Sequence, residues 1–172
     1  MAPPFNKMNK KLYIIPGMGQ TCNLTRYRRL EKVARAKGYE VFLVNPDWTL
    51  PISKQIFDVD KNSVIFGFSM GAILACLVAK KHDCKMIILA SISPLNELDF
   101  EEIKDFLTTK MSKKRAEEVT EDLKKIRGSY QKTNTKAISL AGEFENAKAD
   151  IIVPKTGHRY SSLYNSYVER II

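Results

Sequence analysis

SVIFGFSMGAILAC, Ser63 to Cys76, passes from a short apolar run through Gly67-Phe68-Ser69-Met70-Gly71 straight into a helix-forming stretch. Residues 64–66 are wholly apolar, the pattern of a strand covered on both faces. Residues 70–81 are apolar on most sides, the pattern of a buried helix. A serine at such a strand-to-helix turn must reverse the chain within a few residues. The positions two away on either side must then lack bulk, and Gly67 and Gly71 meet that demand. The same turn sets the helix N-terminus beneath Ser69 and leaves the Met70 N–H available as a donor. By its letters alone, two glycines around a serine could make any tight turn. The buried strand before it and the buried helix after it give the spacing its weight.

Strands and helices alternate outward from this point in both directions. Short continuous apolar runs fall at residues 12–15, 41–44, 64–66, 86–90, 137–141 and 151–153. Between them, Tyr27, Leu30, Val33 and Ala34 form an apolar stripe closed by Gly38. Leu163, Tyr164, Tyr167, Val168, Ile171 and Ile172 form another at the end of the chain. The alternation predicts a six-stranded parallel sheet with helices on both faces, whose ligand sites lie beyond the carboxyl ends of its strands. One stretch departs from the rhythm. Between Ser93 and Thr135 two helical patterns follow one another with no strand between. The first carries Asp99 and Glu102 in capping-box spacing, with Ile103, Phe106 and Leu107 on one face. The second carries Val119, Leu123 and Ile126 and stops at Gly128. Two readings apply to this pair: a short helical lid over the site, or an ordinary crossover drawn out by a turn. The expected organisation is a flexible tail over residues 1–10 and one domain over 11–172, with the helical insertion at about 96–134.

Three further features line up with Ser69. Pro16-Gly17-Met18-Gly19 ends the first strand as a glycine loop. Gly157-His158 follows the last strand, and the acid-rich stretch SLAGEFENAKAD, residues 139–150, follows the fifth. On these residues the chain, from Lys11 to Ile172, resembles the alpha/beta-hydrolase family. That resemblance implies a nucleophile elbow at Ser69, framed by Gly67 and Gly71. It implies an oxyanion loop at Gly17 and Gly19, with Met18 and Met70 supplying the two oxyanion N–H groups, and it makes His158 the base. The family usually places an aspartate after the penultimate strand, whereas here Gly142-Glu143-Phe144-Glu145 puts a glutamate there. Glu145 is the first choice of acid, with Glu143 and Asp150 as alternatives, since the role is to orient the imidazole and stabilise its cation. The order Ser69…Glu145…His158 is the family's order. The implied activity is that of a serine hydrolase acting on a carboxylic ester or thioester of a small-molecule acyl substrate, a mechanism that requires no metal or cofactor. His82, in KKHDC at the far end of the helix after Ser69, reads as a surface or helix-terminal residue.

Composition sets the outer bounds. A chain of 172 residues is long enough to bury a core without disulfide or metal staples. Its three cysteines are odd in number and show no metal-ligand spacing, the pattern of a reduced, cytoplasmic protein. No apolar run reaches the roughly 20 residues of a membrane span. The net charge of +9 raises nucleic-acid binding. The basic residues are dispersed, however, and around Lys113, Lys114, Arg115, Lys124 and Lys125 they alternate with Glu117, Glu118 and Glu121, as on a solvated helix face. No nucleic-acid partner is therefore expected. For the glycine loop, a dinucleotide reading of GMGQTC with Asp47 ranks behind the oxyanion loop, because Cys22 stands where the third glycine would be. As a function for the whole chain, a non-catalytic hydrolase-like binding protein is the second reading and nucleotide binding the third. Oligomeric state is open.

Overall fold

The computed structural model describes residues 10–91, 99–126, 135–145 and 147–172. Six parallel strands form one sheet: β1 (Lys10–Ile15), β2 (Tyr39–Leu43), β3 (Ser63–Phe68), β4 (Met86–Ala90), β5 (Lys136–Gly142) and β6 (Ile151–Val153). Their order across the sheet is β2-β1-β3-β4-β5-β6. Ile14 pairs with Phe66, Phe66 with Ile88, and Ile88 with Ile138. The apolar runs are continuous because both faces are covered. Along β1, Leu12 and Ile14 pack on one face while Ile15 packs on the other, and Phe66 and Ile65 divide the same way along β3.

Among the described residues, five α-helices supply the covers. On one face lie α1 (Thr25–Ala36) and α5 (Ser162–Ile171), which bring Tyr27, Leu30, Tyr164 and Val168 onto the sheet. On the other lie α2 (Met70–Lys81), α3 (Phe100–Thr108) and α4 (Lys113–Ile126). All nine residues of α2 from Gly71 to Ala79 are buried, which explains its nearly uniform apolarity. Gly38 follows α1 at φ +86°, a left-handed conformation that glycine adopts without strain. Asp99 caps α3, its side chain accepting from the N–H groups of Glu101 and Glu102. Asp122 of α4 is buried and accepts the Ser53 N–H at 2.9 Å, whereas the basic residues of the helix lie outward, with Lys124 paired to Glu121 at 2.7 Å. Among the described residues no helix is long and apolar enough to cross a membrane.

Two expectations are refined here, and others lie beyond the described residues. Lys10 belongs to β1 rather than to the tail, because it is in register with Tyr39 and its ammonium lies 5.6 Å from that ring. The stop at Gly128, the ends of the helical insertion and residues 1–9 lie outside the described residues. The two inserted helices also differ in kind. α4 buries Ala116, Val119 and Leu123 completely and is a layer of the core. α3 buries Leu107 but leaves Phe106 half exposed, because that ring borders a cavity instead of joining the core.

The topology places the site. The chain moves from β1 outward to β2 and then returns to the other side of β1 for β3. The crossovers from β1 and β3 therefore leave in opposite directions, and a crevice opens at the carboxyl ends of these two neighbouring strands. The Gly17 loop and Ser69 sit at those two ends.

Candidate active site

Ser69 closes β3 and caps α2 with φ 53° and ψ −119°, a left-handed conformation that side chains rarely adopt. Two close backbone approaches hold it there. A Cβ on Gly67 would fall 2.6 Å from the Ala72 nitrogen, and one on Gly71 would fall 2.5 Å from the Ile15 carbonyl oxygen. Both positions therefore exclude any side chain. The Ser69 N–H donates to the Ala90 carbonyl at 2.8 Å, tying the turn to β4. Gly17 packs under the Phe68 ring, where a Cβ would lie 2.9 Å from Cδ1, and Gly19 has φ +71°. Tyr27, fully buried on α1, secures this loop: its hydroxyl accepts from the Gly17 N–H at 3.3 Å and donates to Gln20 Oε1 at 2.6 Å.

His158 comes from the loop between β6 and α5, 89 residues beyond Ser69, and its Nε2 lies 2.9 Å from Ser69 Oγ. Its Nδ1 lies 2.9 Å from Glu145 Oε1. Of the three candidate acids, Glu145 is the one that faces the imidazole. Glu143 accepts the Lys155 N–H at 2.8 Å, and Asp150 accepts the backbone and hydroxyl of Ser139, both at 2.8 Å. Glu143 thereby joins the end of β5 to the loop after β6, and Asp150 joins β5 to the residue before β6. His82 follows α2, about 20 Å along the helix from Ser69, where its Nε2 is 3.1 Å from Asp58.

Glu145 is the most perturbed acid of the site. Burial raises its pKa, but hydrogen bonds from His158, Ser91, Tyr164 and the Gly142 N–H outweigh that and hold it at about 2. An ionised carboxylate only accepts. The proton between the two groups therefore resides on His158 Nδ1, which leaves the Nε2 lone pair directed at the Ser69 hydroxyl.

A cavity of about 350 Å³ opens beside Ser69. Met18, Phe68, Met70, Ile73, Ile103 and Phe106 make most of its wall, and Gln20, Ser91 and His158 add polar atoms. Met70 is the first residue of α2, so its N–H has no partner within the helix. Among the described residues, neither it nor the Met18 N–H has an acceptor. Cys22, the residue that weakens the dinucleotide reading, is fully buried, and its thiol meets the carbonyls of Ile14 and Val44 at 3.4 and 3.5 Å.

Sequence reasoning does not single out Ser91, Tyr164, Tyr27 or Gln20 at the site. Tyr27 and Tyr164 sit on apolar helical stripes and signal only core. Ser91 offers one cue, a polar residue directly after a fully apolar strand.

No protein-family model matches the sequence, and no curated protein matches it. Solved structures do match, over nearly the whole chain. Est1E from Butyrivibrio proteoclasticus is 14% identical with a TM-score of 0.65, over 95% of this chain and 86% of its own. Alpha/beta hydrolase domain-containing protein 10 from mouse is 10% identical with a TM-score of 0.59, over 94% and 87%. The NocB thioesterase domain, solved as a covalent complex with a fluorophosphonate nocardicin G analog, is 13% identical with a TM-score of 0.55, over 94% and 93%. The sheet order and these neighbours define the architecture: the chain has the alpha/beta-hydrolase fold.

Proposed function

We propose that this protein is a serine hydrolase that cleaves a carboxylic ester or thioester through an acyl-enzyme. The observation that carries the reading is the unbroken contact line Ser69 Oγ–His158 Nε2–His158 Nδ1–Glu145 Oε1, with both links at 2.9 Å, at the wall of an apolar cavity. Serine is a weak nucleophile until an adjacent base takes its proton. Here Ser69 Oγ attacks the carbonyl carbon while its proton passes to His158 Nε2. The imidazolium that forms is stabilised by Glu145. The carbonyl oxygen becomes an oxyanion held by the N–H groups of Met18 and Met70, donors of a kind worth about 10²–10³ in rate each. When the C–O or C–S bond breaks, His158 returns the proton to the leaving alcohol or thiol. Water then repeats the sequence, giving its proton to His158, and the acid and the Ser69 hydroxyl are released.

The cavity indicates the size of the acyl group. Small-molecule pockets span roughly 300–1,000 Å³, and 350 Å³ with methionine, isoleucine and phenylalanine walls suits a short to medium apolar chain. Labelling with a fluorophosphonate probe, alongside p-nitrophenyl esters of increasing chain length and acyl-CoA thioesters, tests the reading. Wild type should label and turn over, and Ser69→Ala should do neither. Absence of labelling in wild type, or equal labelling in Ser69→Ala, would instead indicate a hydrolase-like binding protein.

A further inference from the structure

Glu145 is held by more than the histidine it faces. Its Oε1 accepts His158 Nδ1–H at 2.9 Å and the Ser91 hydroxyl at 2.6 Å. Its Oε2 accepts the Tyr164 hydroxyl and the Gly142 N–H. A carboxylate offers about four acceptor positions, and all four are filled, two on each oxygen. The donors other than His158 come from three elements: the end of β4, helix α5 and the end of β5. The two hydroxyls also touch one another at 2.9 Å. Ser91 is 2% exposed and Tyr164 is fully buried, which limits competition from water for these bonds. Ser91 reaches its place with φ 56°, a conformation costly for any residue with a side chain. Its N–H is fixed to the Leu140 carbonyl at 2.8 Å.

We propose that Ser91 and Tyr164 are positioning residues: two buried hydroxyls that clamp the Glu145 carboxylate so that Oε1 is presented to His158. The inference rests on the hydrolase reading above. A glutamate has three side-chain torsions, and the Gly142 N–H alone fixes one oxygen while leaving the other free to swing. The hydroxyl donors from β4 and α5 remove that freedom. They also explain how a glutamate, one methylene longer than the acid usual in this fold, is held in a single pose. If the carboxyl were protonated, one of the four donors would have to turn away.

The test compares wild type with Ser91→Ala, Ser91→Gly, Tyr164→Phe and the Ser91→Ala/Tyr164→Phe pair, by steady-state ester hydrolysis, fluorophosphonate labelling and thermal melting. Alanine keeps the backbone cost at position 91 and removes only the hydroxyl, whereas glycine removes both. Loss of one hydrogen bond to a charged group corresponds to about a tenfold loss. Each single variant is therefore expected to lower kcat about tenfold with KM within about twofold of wild type, and the pair to lower it about a hundredfold. Ser91→Gly should melt higher than Ser91→Ala yet turn over no faster. If kcat stays within twofold of wild type in all variants, or if Ser91→Gly regains wild-type kcat along with its stability, the positioning role is refuted. A wild type that neither labels nor turns over overturns the hydrolase reading, and this inference with it.

Discussion

The carbonyl of Thr156 faces Gly142 so closely that a Cβ on the glycine would sit 2.5 Å from its oxygen. The same oxygen accepts the Phe144 N–H at 2.9 Å. These contacts fasten the turn that carries Glu145 to the loop that carries His158. Gly142→Ala must push the two apart, and a displacement of about 1 Å at a catalytic pair can cost about 10²-fold in rate. The expected result is that loss in kcat together with about 1–3 kcal/mol of destabilisation from overpacking. Ester turnover and chemical denaturation measure the two effects separately. A fully active Gly142→Ala would show that the loops are not held in common.

Glu145→Gln keeps the shape of the acid and removes its charge. It then no longer specifies the His158 tautomer, and kcat should fall by about 10³–10⁴-fold. The folded carboxyl sits at about 2 against an ordinary 4.5. A lowered folded pKa adds stability that is complete above about 4.5 and disappears as pH falls toward about 2. Melting temperatures taken from pH 6 to pH 2 should therefore fall more steeply for wild type than for Glu145→Gln. Parallel curves would count against the assignment.

Ser69 pays a backbone cost for its place at the turn, of order 1–3 kcal/mol for a residue at positive φ. Ser69→Gly should relieve part of it, about 1 kcal/mol, and raise the melting temperature by roughly 2–4 °C in a chain of this size. Ser69→Ala keeps the same φ and should melt close to wild type. Differential scanning fluorimetry on both variants makes the comparison. If the two melt alike, φ 53° carries no strain.

Most of the fold was legible in the sequence because its apolar runs have the period of fully covered strands, and all six are strands of the sheet. The places of Ser69, Gly67 and Gly71 were legible for a steric reason: only glycine fits where backbones approach to within a side chain's width, while in the Gly17 loop Gly17 lies against the Phe68 ring and Gly19 adopts a positive φ. What the sequence left open was the surroundings of the acid. Three acidic residues within eight positions look alike along the chain. Only the fold turns Glu143 toward the Lys155 N–H, Asp150 toward Ser139 and Glu145 toward His158. The Ser91 and Tyr164 hydroxyls were hidden because their contacts span 54 and 19 residues and leave no local periodicity.

All three cysteines are buried, and burial pushes the Cys22 and Cys76 thiols up to about 12. The thiolate is the reactive form, so the native protein should resist iodoacetamide at pH 8 for hours and keep its activity. Mass spectrometry before and after denaturation gives the count. Rapid alkylation of Cys22 in the folded protein would contradict its packing between the Ile14 and Val44 carbonyls.

Phe106 stands on the cavity wall with Ile103, one position before the fully buried Leu107. Its ring is 52% exposed, and the Lys110 ammonium lies 5.8 Å from its centroid. A half-exposed aromatic contributes little to stability, so its truncation should cost less than about 1 kcal/mol. At the cavity the effect should be larger, because removing the ring extends the apolar space available to an acyl chain. Each further methylene buried there contributes about 0.8 kcal/mol, close to fourfold in kcat/KM. Phe106→Ala is therefore expected to move the preferred p-nitrophenyl ester toward longer chains by two or more carbons. Phe106→Leu should fall between it and wild type, and the rate on the acetate should be nearly unchanged. The full chain-length profile of the three proteins decides the matter, and superimposable profiles would remove Phe106 from the acyl wall.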